Sequence, residues 1–448
     1  MIYHLIGAGG AGMSVVGQLL CARGEHVSGS DRSHSANLDR LRAAGATVYV
    51  GHQGEHVPDD AVIVVSSAIR EDNPELVRAR ELGLEVIHRS QALARAACDR
   101  DFVAVAGAHG KTSTSAMLSV ALESLGRDPS RAIGGNLAGG LSGAHLGSGP
   151  VFIAEADESD GSFLNYTPRI AIVTNVEPDH LDHYGSQEAF EQAFVDFAHR
   201  IEFGGLLICC ADSPGAWALA QQARAAGIRT WTYGVGAGLE HHASIEILDP
   251  SRARVTFRGV PAELHLSVPG NHNLLNATAA LLAGVELGEE LHQMAQALAA
   301  FRGTGRRFEQ RAEVAGRRII DDYAHHPTEV RATLITAREQ VAATGGRVCV
   351  LFQPHLYSRT QIFAQEFAQA LALADEVVVT SVYAAREEPS AGAEADVITA
   401  HLPGAHYVPD RYEAAARIAQ LSQSGDIILT MGAGDVTELA DEIADGVR

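Results

Sequence analysis

The stretch that most constrains the fold runs from Phe102 to Ser115, where an apolar segment ends in a turn bounded by Gly107 and Gly110. Lys111 follows the turn, and the residues after it have the pattern of a helix. Lys111 is the only lysine in the chain. A strand, a glycine turn and a helix in this order place backbone N–H groups and the positive end of a helix around an anion. The turn is therefore predicted to bind phosphate.

The turn differs from the generic pattern G-x-x-x-x-G-K-[ST], because Val105 stands where the first glycine belongs. A lysine here supplies a compact positive charge for β- and γ-phosphates, and the hydroxyl of Thr112 can hold Mg²⁺. The competing interpretation is an ordinary strand–turn–helix with an exposed lysine. The sequence Gly-Lys-Thr after an apolar strand favours phosphate binding.

Composition narrows the class of protein. A chain of 448 residues is long enough for about two to four domains, each with its own core. Hydrophobic residues make up 46% and charged residues 20%, which is typical of a soluble globular protein. The formal net charge of −21 argues against broad binding to nucleic acids or membrane surfaces. Local sites can still capture anionic ligands.

The cysteines and the N-terminus predict a cytoplasmic protein. The five cysteines are odd in number and form no C-x-x-C pair, so neither a disulfide framework nor a structural zinc site is expected. The first residues lack the basic flank and apolar core of a signal peptide. No apolar run approaches the roughly 18 residues of a membrane span.

Residues 1–98 alternate short apolar runs with amphipathic stretches, which predicts a parallel α/β sheet. Gly7, Gly9 and Gly12 fit G-x-G-x-x-G, and Asp31 follows at the end of the next predicted strand. This pattern is typical of a dinucleotide-binding fold, in which the acid binds a ribose hydroxyl. The same turn accepts any pyrophosphate, and a tight turn without a ligand remains an alternative.

Residues 99–304 continue with apolar strands that end in acidic and imidazole groups, at Glu155 to Glu158 and at Asp179-His180. Ligands of open α/β sheets bind beyond the carboxyl ends of the strands, so these groups are expected to converge on the lysine turn and to hold Mg²⁺. Solvated loop charges would explain either cluster alone. Asn273 and Asn276 open a later helix and are either caps or ligand contacts.

Residues 305–448 predict a second doubly wound sheet. Polar and charged side chains follow its strands and are site candidates. They are Asp321, Asp322, His325, His326, His355 and Arg359.

Eight motifs in order resemble those of the Mur ligase family, and the resemblance spans nearly the whole chain. They are Gly9-Gly-Ala-Gly-Met13, Gly107-Ala-His-Gly-Lys-Thr112, Glu155-Ala-Asp-Glu-Ser-Asp160, Asn175-Val-Glu-Pro-Asp-His180, Gly270-Asn-His-Asn273, Arg306-Arg-Phe308, Asp321-Asp-Tyr-Ala-His-His-Pro-Thr-Glu329 and Phe352-Gln-Pro-His355.

The resemblance implies three α/β domains: a Rossmann-like UDP-sugar domain at 1–98, a central ATP-binding domain with a mostly parallel sheet at 99–304, and a Rossmann-like C-terminal domain at 305–448. It also implies ATP and Mg²⁺ as cofactors, with UDP-N-acetylmuramate and L-alanine as substrates. The expected reaction forms an acyl phosphate and then an amide. Nucleic acids and membranes are not expected partners, and the protein is expected to be a monomer or a homodimer.

By the same resemblance, four groups of residues form the sites. ATP would be bound by Gly107, Ala108, His109, Gly110, Lys111, Thr112, Ser113, Asn273, Asn276, Arg306, Arg307 and Asp321. The UDP-sugar would be bound by Gly9, Gly10, Ala11, Gly12, Asp31, Ser66 and Arg89. The amino acid would be bound by Tyr323, His325, His355 and Arg359, and Mg²⁺ by Thr112, Glu155 and His180, with Glu158 the alternative to Glu155. The catalytic residues would be Lys111, His180, His325 and Arg359.

One position departs from the family pattern. The family's Pro-His-Arg-Tyr-x-Arg reads Pro354-His-Leu-Tyr-Ser-Arg359, so Leu356 replaces an arginine and one expected anion contact is in doubt. Three alternative functions remain: a recycling ligase that adds a tripeptide to the same sugar, a nicotinamide-dependent oxidoreductase built on residues 1–98, and a nucleotide-binding regulator that performs no ligation.

Overall fold

The computed structural model describes residues 1–179, 181–235, 241–342, 344–385, 387–388 and 394–448, apart from the side chains of residues 139, 181 and 182. It contains three sheets, which follow one another along the chain. Each sheet is flanked by helices, as expected for an α/β protein.

The first sheet has five parallel strands in the order β3-β2-β1-β4-β5. Its strands are β1 (Ile2–Ile6), β2 (His26–Asp31), β3 (Thr47–Val50), β4 (Val62–Val65) and β5 (Val86–His88). Its helices are α1 (Ala11–Ala22), α2 (Ala36–Ala43), α3 (Pro74–Glu81) and α4 (Arg89–Ala97). The strand order reverses between β1 and β4, and open sheets bind ligands at such a switch point. The glycine loop after β1 lies there.

Local sequence explains where these helices begin. The Ser35 side chain accepts a hydrogen bond from Leu38 N at the start of α2, and Asn73 caps α3 ahead of Pro74. His88 and Gln91 form a capping box at α4. Such caps satisfy N–H groups that have no partner within the helix.

The second sheet has ten strands in the order β15-β14-β13-β12-β11-β10-β6-β9-β7-β8. They are β6 (Asp101–Ala106), β7 (Ser130–Ala132), β8 (Ala144–His145), β9 (Val151–Glu155), β10 (Ile170–Val173), β11 (Leu206–Cys210), β12 (Thr230–Gly234), β13 (Ala243–Asp249), β14 (Arg252–Phe257) and β15 (Val260–His265). The pairs from β7 through β13 are parallel, whereas β8, β14 and β15 add antiparallel edges. The prediction of a mostly parallel sheet is confirmed.

Six helices accompany this part of the chain. They are α5 (Lys111–Ser124), α6 (Leu181–Tyr184), α7 (Gln187–Ala198), α8 (Pro214–Ala225), α9 (Asn271–Glu286) and α10 (Leu291–Ala297). A single apolar core, which includes Leu5, Ala104 and Phe163, extends from the first sheet into the second. The two sheets therefore share buried surface.

The third sheet has the order β16-β17-β21-β18-β19-β20, with β16 antiparallel to β17 and the other pairs parallel. Its strands are β16 (Glu309–Val314), β17 (Arg317–Asp322), β18 (Val348–Phe352), β19 (Glu376–Val379), β20 (His406–Tyr407) and β21 (Ile427–Met431). Its helices are α11 (Pro327–Ala342), α12 (Tyr357–Ile362), α13 (Ala364–Leu371), α14 (Asp396–Thr399), α15 (Arg411–Leu421) and α16 (Leu439–Gly446).

The chain divides into two compact units. One contains Met1–Ser267 and Asn273–Arg302, and the other contains Val268–His272 and Gly303–Arg448. The expected class of three α/β domains with mostly parallel sheets is confirmed, while the domain boundaries after residues 98 and 304 stay predictions. Among the described residues, no helix combines the length and apolarity that a membrane crossing requires.

Gly215, in α8, lies close to the backbone of the segment that follows β10. A Cβ atom at this position would lie 2.3 Å from the carbonyl oxygen of Val176. We expect Gly215→Ala to lower the free energy of unfolding by about 1–3 kcal/mol, the usual cost of overpacking. Gly446→Ala is the matched control, because its Cβ would meet Ala419 at 3.4 Å and alanine favours a helix. Denaturant unfolding measures both variants, and equal stability of the two would contradict the packing described.

Candidate active site

The glycine turn of the second sheet is tightly packed, and the backbone requires both of its glycines. Gly107 has a φ of +131° and Gly110 a φ of +82°, angles that other residues rarely adopt. A Cβ atom on Gly107 would lie 2.3 Å from Thr174 Oγ1, and one on Gly110 would lie 2.7 Å from Asn276 Oδ1. The turn is therefore enclosed between the end of β10 and α9, and α5 begins directly after it at Lys111.

Side chains after β10 fix the middle of this turn, which consists of Ala108 and His109. Asn175 Oδ1 accepts a hydrogen bond from His109 N at 2.9 Å, and Asn175 Nδ2 donates to His109 O at 3.0 Å. The Thr174 hydroxyl donates to the same carbonyl at 2.5 Å. The His109 ring lies 3.4 Å from a Glu177 carboxylate oxygen. These bonds hold the turn in one shape.

Lys111 lies inside the turn in a buried ion pair. Its Nζ donates to Gly107 O at 2.7 Å and to Glu158 Oε1 at 2.7 Å. Burial lowers the pKa of Lys111, but the charges of Glu158 and Asp157 outweigh burial and raise this pKa above its ordinary value. Burial raises the pKa of Glu158 to about 7, against the attraction of Lys111. The ammonium is therefore charged, and an anion in the turn would compete with Glu158 for it.

The side chains of Glu155 and Thr112, both predicted to hold Mg²⁺, lie close to the Gly134-Gly135 backbone. Glu155 Oε1 accepts a hydrogen bond from Gly134 N at 2.8 Å. A Cβ atom on Gly135 would meet Thr112 Cγ2 at 3.4 Å. A carboxylate and a hydroxyl are the hard oxygen ligands that Mg²⁺ prefers, so these side chains fit the ion. Their role as ligands stays a prediction, and the third predicted ligand, His180, lies outside the described residues.

The glycine loop of the first sheet leads from β1 through Gly9 and Gly10 to Ala11 and Gly12, the first two residues of α1. Gly9 N donates to Asp31 Oδ2 at 2.8 Å, and a Cβ atom on Gly9 would lie 2.8 Å from Ser35 Oγ. Asp31, predicted to contact the UDP-sugar, therefore also anchors the loop. Ser66 directly follows β4, where its carbonyl accepts from Ile69 N at 3.0 Å.

Arg89 connects this loop to the acidic end of β9. A Cβ atom on Gly12 would lie 2.6 Å from Arg89 Nη1, while Arg89 Nη2 donates to Asp157 Oδ2 at 2.7 Å. Burial lowers the pKa of Arg89, but Asp157 and Asp160 outweigh burial and raise it. Ser67 Oγ donates to Asp160 at 2.8 Å. The two glycine turns are thus joined through Arg89, Asp157 and the adjacent Glu158.

The two asparagines predicted to bind ATP are buried on α9. Asn276 faces Gly110, as described above, so its amide borders the lysine turn. Ser113 lies buried in the first turn of α5, next to Thr112. Contact of Asn273 and Asn276 with adenine stays a prediction.

In the second compact unit, Asp321 and Arg306 form a hydrogen-bonded pair at the end of β17. Asp321 Oδ2 accepts from Arg306 Nε at 3.2 Å and from Thr437 Oγ1 at 2.7 Å, and Oδ1 accepts from Thr430 Oγ1 at 2.8 Å. Arg306 Nη2 donates to Gly432 O at 2.6 Å. Its guanidinium is therefore held in one orientation by the loop that follows β21.

Tyr323 lies beneath both arginines that the sequence predicts to handle nucleotide. The guanidinium carbons of Arg306 and Arg307 are 4.9 Å and 5.2 Å from the centre of its ring. Arg307 Nη1 donates to Glu329 Oε1 at 3.1 Å, and Glu329 Oε2 accepts from His325 N at 3.0 Å. The predicted nucleotide and amino-acid residues of this unit therefore form one network.

The remaining predicted amino-acid residues lie beside it. The His325 and His355 rings are 5.7 Å apart, and His355 stacks on Tyr383 at 5.8 Å. Arg359 is buried on α12. Burial lowers the pKa of His325 to about 3, and Arg359 contributes in the same direction. Leu356, which occupies the family's arginine position, is buried and has a φ of +69°.

Comparison with known proteins identifies the family. Three family models match successive parts of the chain: "Mur ligase family, catalytic domain" at 2–101, "Mur ligase middle domain" at 105–284 and "Mur ligase, glutamate ligase domain" at 306–434. The UDP-N-acetylmuramate–L-alanine ligase of Kineococcus radiotolerans is 53% identical over 98% of this chain and 95% of its own. The chain belongs to the Mur ligase family.

Other relatives of this Mur ligase cover nearly its full length. The UDP-N-acetylmuramate–L-alanine ligase of Renibacterium salmoninarum is 51% identical over 99% of this chain and 95% of its own. The crystal structure of the UDP-N-acetylmuramate-alanine ligase MurC from Thermotoga maritima superposes with a TM-score of 0.79 at 30% identity, covering 99% of this chain and 98% of that one. A murein peptide ligase from Psychrobacter arcticus gives 0.73 at 26% identity, covering 100% and 98%.

Sequence reasoning missed several residues that shape the site of this Mur ligase. The sequence marks Asn175 only as part of a motif. Its position just after an apolar strand could have indicated that it contacts the glycine turn. Asp157 was not separated from its acidic neighbours, and its bond to Arg89 joins residues 68 positions apart. Thr437, which donates to Asp321, carried no signal, because the loop that holds it is brought to β17 by sheet pairing.

Two histidines of the second unit are expected to make the folded protein less stable at acidic pH. Burial lowers the pKa of His272 from 6.5 to about 4, and that of His325 from 6.5 to about 3. Between each lowered pKa and 6.5, the unfolded chain binds more protons than the folded protein does. The free energy of unfolding therefore falls as the pH drops below 6.5. We expect a slope of up to about 1.4 kcal/mol per pH unit for each histidine.

Urea unfolding between pH 4.5 and 7.5 measures this slope. His272→Gln should flatten it, and His401→Gln, at an exposed position of the same unit, is the matched control. An unchanged slope in His272→Gln would contradict the neutral, buried state of this ring.

Proposed function

We propose that this Mur ligase uses ATP to join L-alanine to the carboxylate of UDP-N-acetylmuramate. The observation that carries the proposal is the pair of adjacent glycine turns, one containing charged Lys111 and the other bordered by Arg89, joined through Asp157. A ligase that activates a nucleotide-sugar acid with ATP needs two anionic ligands side by side in this way. The names of the 53% and 51% identical relatives support the same substrates.

In the proposed reaction, the muramate carboxylate attacks the γ-phosphoryl group of ATP, which gives an acyl phosphate and ADP. The amine of L-alanine then attacks the acyl carbon, phosphate leaves and the amide forms. Lys111 and the backbone N–H groups of the turn hold the transferring phosphoryl group and neutralise its charge. When bound, Mg²⁺ would neutralise phosphate charge, with Thr112, Glu155 and His180 as its proposed ligands.

The other site residues receive roles that fit their chemistry. Ala11 and Gly12, at the N-terminus of α1, offer backbone N–H groups to the pyrophosphate of the UDP-sugar, with Arg89 as a cation beside them. Gly9 and Gly10 form the turn that leads to them, and Asp31 and Ser66 complete the proposed site. In the C-terminal domain, Arg306, Arg307 and Asp321 handle nucleotide. Tyr323, His325, His355 and Arg359 receive L-alanine, and arginine suits its carboxylate.

A coupled assay tests the function. Phosphate release should require UDP-N-acetylmuramate, ATP, Mg²⁺ and L-alanine together, and mass spectrometry should detect the alanyl product. Turnover with a murein tripeptide instead of L-alanine would indicate the recycling ligase. Tight binding of NADH without binding of the UDP-sugar would indicate an oxidoreductase. ATP binding with no ligation under any of these conditions would indicate a regulator.

Lys111→Ala should lower kcat/KM by about 10²–10³-fold, the usual cost of one electrostatic contact in a transition state. Lys111→Arg keeps the charge but does not match the compact ion pair with Glu158, so partial activity is expected. Arg127→Ala, which breaks an exposed pair with Glu289, is the control and should retain full activity. Steady-state phosphate release measures all three, and full activity of Lys111→Ala would exclude the lysine from phosphoryl transfer.

Arg89→Lys should raise the KM for UDP-N-acetylmuramate by about tenfold, because lysine cannot contact the glycine loop and Asp157 together. The KM for L-alanine should stay unchanged. Arg95→Lys changes an exposed arginine on the same helix and serves as the matched control. If both variants have the same KM for UDP-N-acetylmuramate, Arg89 does not contribute to the UDP-sugar site.

A further inference from the structure

A buried carboxylate with three imidazoles around it lies in the first sheet, outside the residues assigned to the reaction. Glu75, at the start of α3, has a fully buried side chain. Its Oε2 accepts from Ser30 Oγ at 2.5 Å, and its Oε1 lies 3.1 Å from His56 Nδ1 and accepts from Gln53 N at 3.3 Å. His52 Nδ1 is 3.2 Å from Oε2. We call these residues, with His4, the Glu75 cluster.

The cluster joins four parts of the domain through one side chain. His4, on the central strand β1, places Nε2 3.6 Å from Glu75 Oε2, while its Nδ1 lies 2.8 Å from Ser28 Oγ on β2. His52 and His56 belong to the segment after β3, and Glu75 belongs to α3. Burial raises the pKa of Glu75, but the nearby His4 ring and the hydrogen bond from Ser30 outweigh burial and lower it to about 2. The carboxylate is therefore ionised at neutral pH.

Ser30 connects the cluster to the glycine loop. Its side chain donates to Glu75, and its carbonyl accepts from Gly7 N at 2.9 Å and from Ala8 N at 2.8 Å. The next residue, Asp31, accepts from Gly9 N at 2.8 Å. The last two residues of β2 therefore hold three consecutive N–H groups at the start of the loop. The position of Ser30 decides where the following part of the loop can lie.

We propose that Glu75 is a positioning residue for UDP-sugar binding: through Ser30 it fixes the glycine loop that receives the pyrophosphate. This inference rests on the proposed function, because it assigns a ligand to that loop. The neighbours of Glu75 explain why a carboxylate is required. The Ser30 hydroxyl and the Gln53 amide both donate to it, and an uncharged amide at position 75 would turn a donor of its own toward them.

Calorimetric titration of the full chain with UDP-N-acetylmuramate, and separately with ATP and Mg²⁺, tests the inference. Glu75→Gln should raise the dissociation constant for the UDP-sugar by about tenfold, the effect of one lost charge-assisted hydrogen bond. The dissociation constant for ATP should stay within about twofold, because the ATP turn belongs to the second sheet. In steady state, the KM for the UDP-sugar should rise while kcat at saturation is retained.

The matched control is Glu81→Gln, the same change at an exposed position on α3, which should leave all constants unchanged. If Glu75→Gln does not fold, Ser30→Ala is the variant that tests the inference. It should raise the dissociation constant for the UDP-sugar by about threefold. An unchanged dissociation constant for the UDP-sugar in these variants would overturn the inference. Equal losses for UDP-sugar and ATP would also overturn it, since they would indicate general loosening. If the unaltered protein binds no UDP-N-acetylmuramate, the proposed function itself fails.

Discussion

The arrangement of the site depends on the buried ion pair between Lys111 and Glu158. A single ammonium is enclosed by a turn whose glycines adopt backbone angles that other residues rarely adopt, and Gly107 O and Glu158 both accept from it. Removing one partner of such a pair leaves a buried charge, which is costly. The pair therefore ties the acidic segment after β9 to the turn after β6, and Asn175 holds the same turn through its bonds to His109. In the proposed reaction, a substrate phosphate would take the place of Glu158 as the anionic partner of Lys111.

The acidic segment after β9 also contacts the first domain. This contact explains how residues from two sheets can contribute to one proposed reaction. Asp157 precedes Glu158 and binds Arg89, whose other nitrogen borders Gly12. A bound pyrophosphate and the Asp157 carboxylate would therefore share one guanidinium, while Glu158 and a phosphate would share one ammonium. In the proposed complex, each ligand would change the charge that faces the other, and this chain of direct contacts would couple the two turns electrostatically. The shared apolar core keeps this chain of contacts fixed.

Much of this could be predicted from the sequence, because glycine turns after apolar strands are local signals. The glycine turn after β6, the loop after β1 and the polar strand ends of the third sheet could be located in this way, and the three-domain α/β class is confirmed. The ligands of these sites stay predictions. What could not be predicted depends on distant pairing. Asn175 holds His109 only because β10 lies beside β6, and Thr437 reaches Asp321 only because β21 lies beside β17. The antiparallel pairing of β14 and β15 at the edge of the second sheet has no motif of its own in the sequence, because it depends on the strands that lie beside it.

Leu356 holds an unusual backbone conformation between two of the predicted amino-acid residues. A non-glycine residue at a φ of +69° is strained by about 1–3 kcal/mol and persists only where its surroundings require it. Here Leu356 N donates to Tyr383 O at 3.0 Å, and Thr360 Oγ1 donates to Leu356 O at 2.7 Å. The buried leucine side chain adds apolar packing to these bonds. The strained backbone orients His355 on one side and α12, with Arg359, on the other. At this position the backbone conformation, rather than the family's arginine charge, therefore supports the two side chains proposed to receive the amino acid.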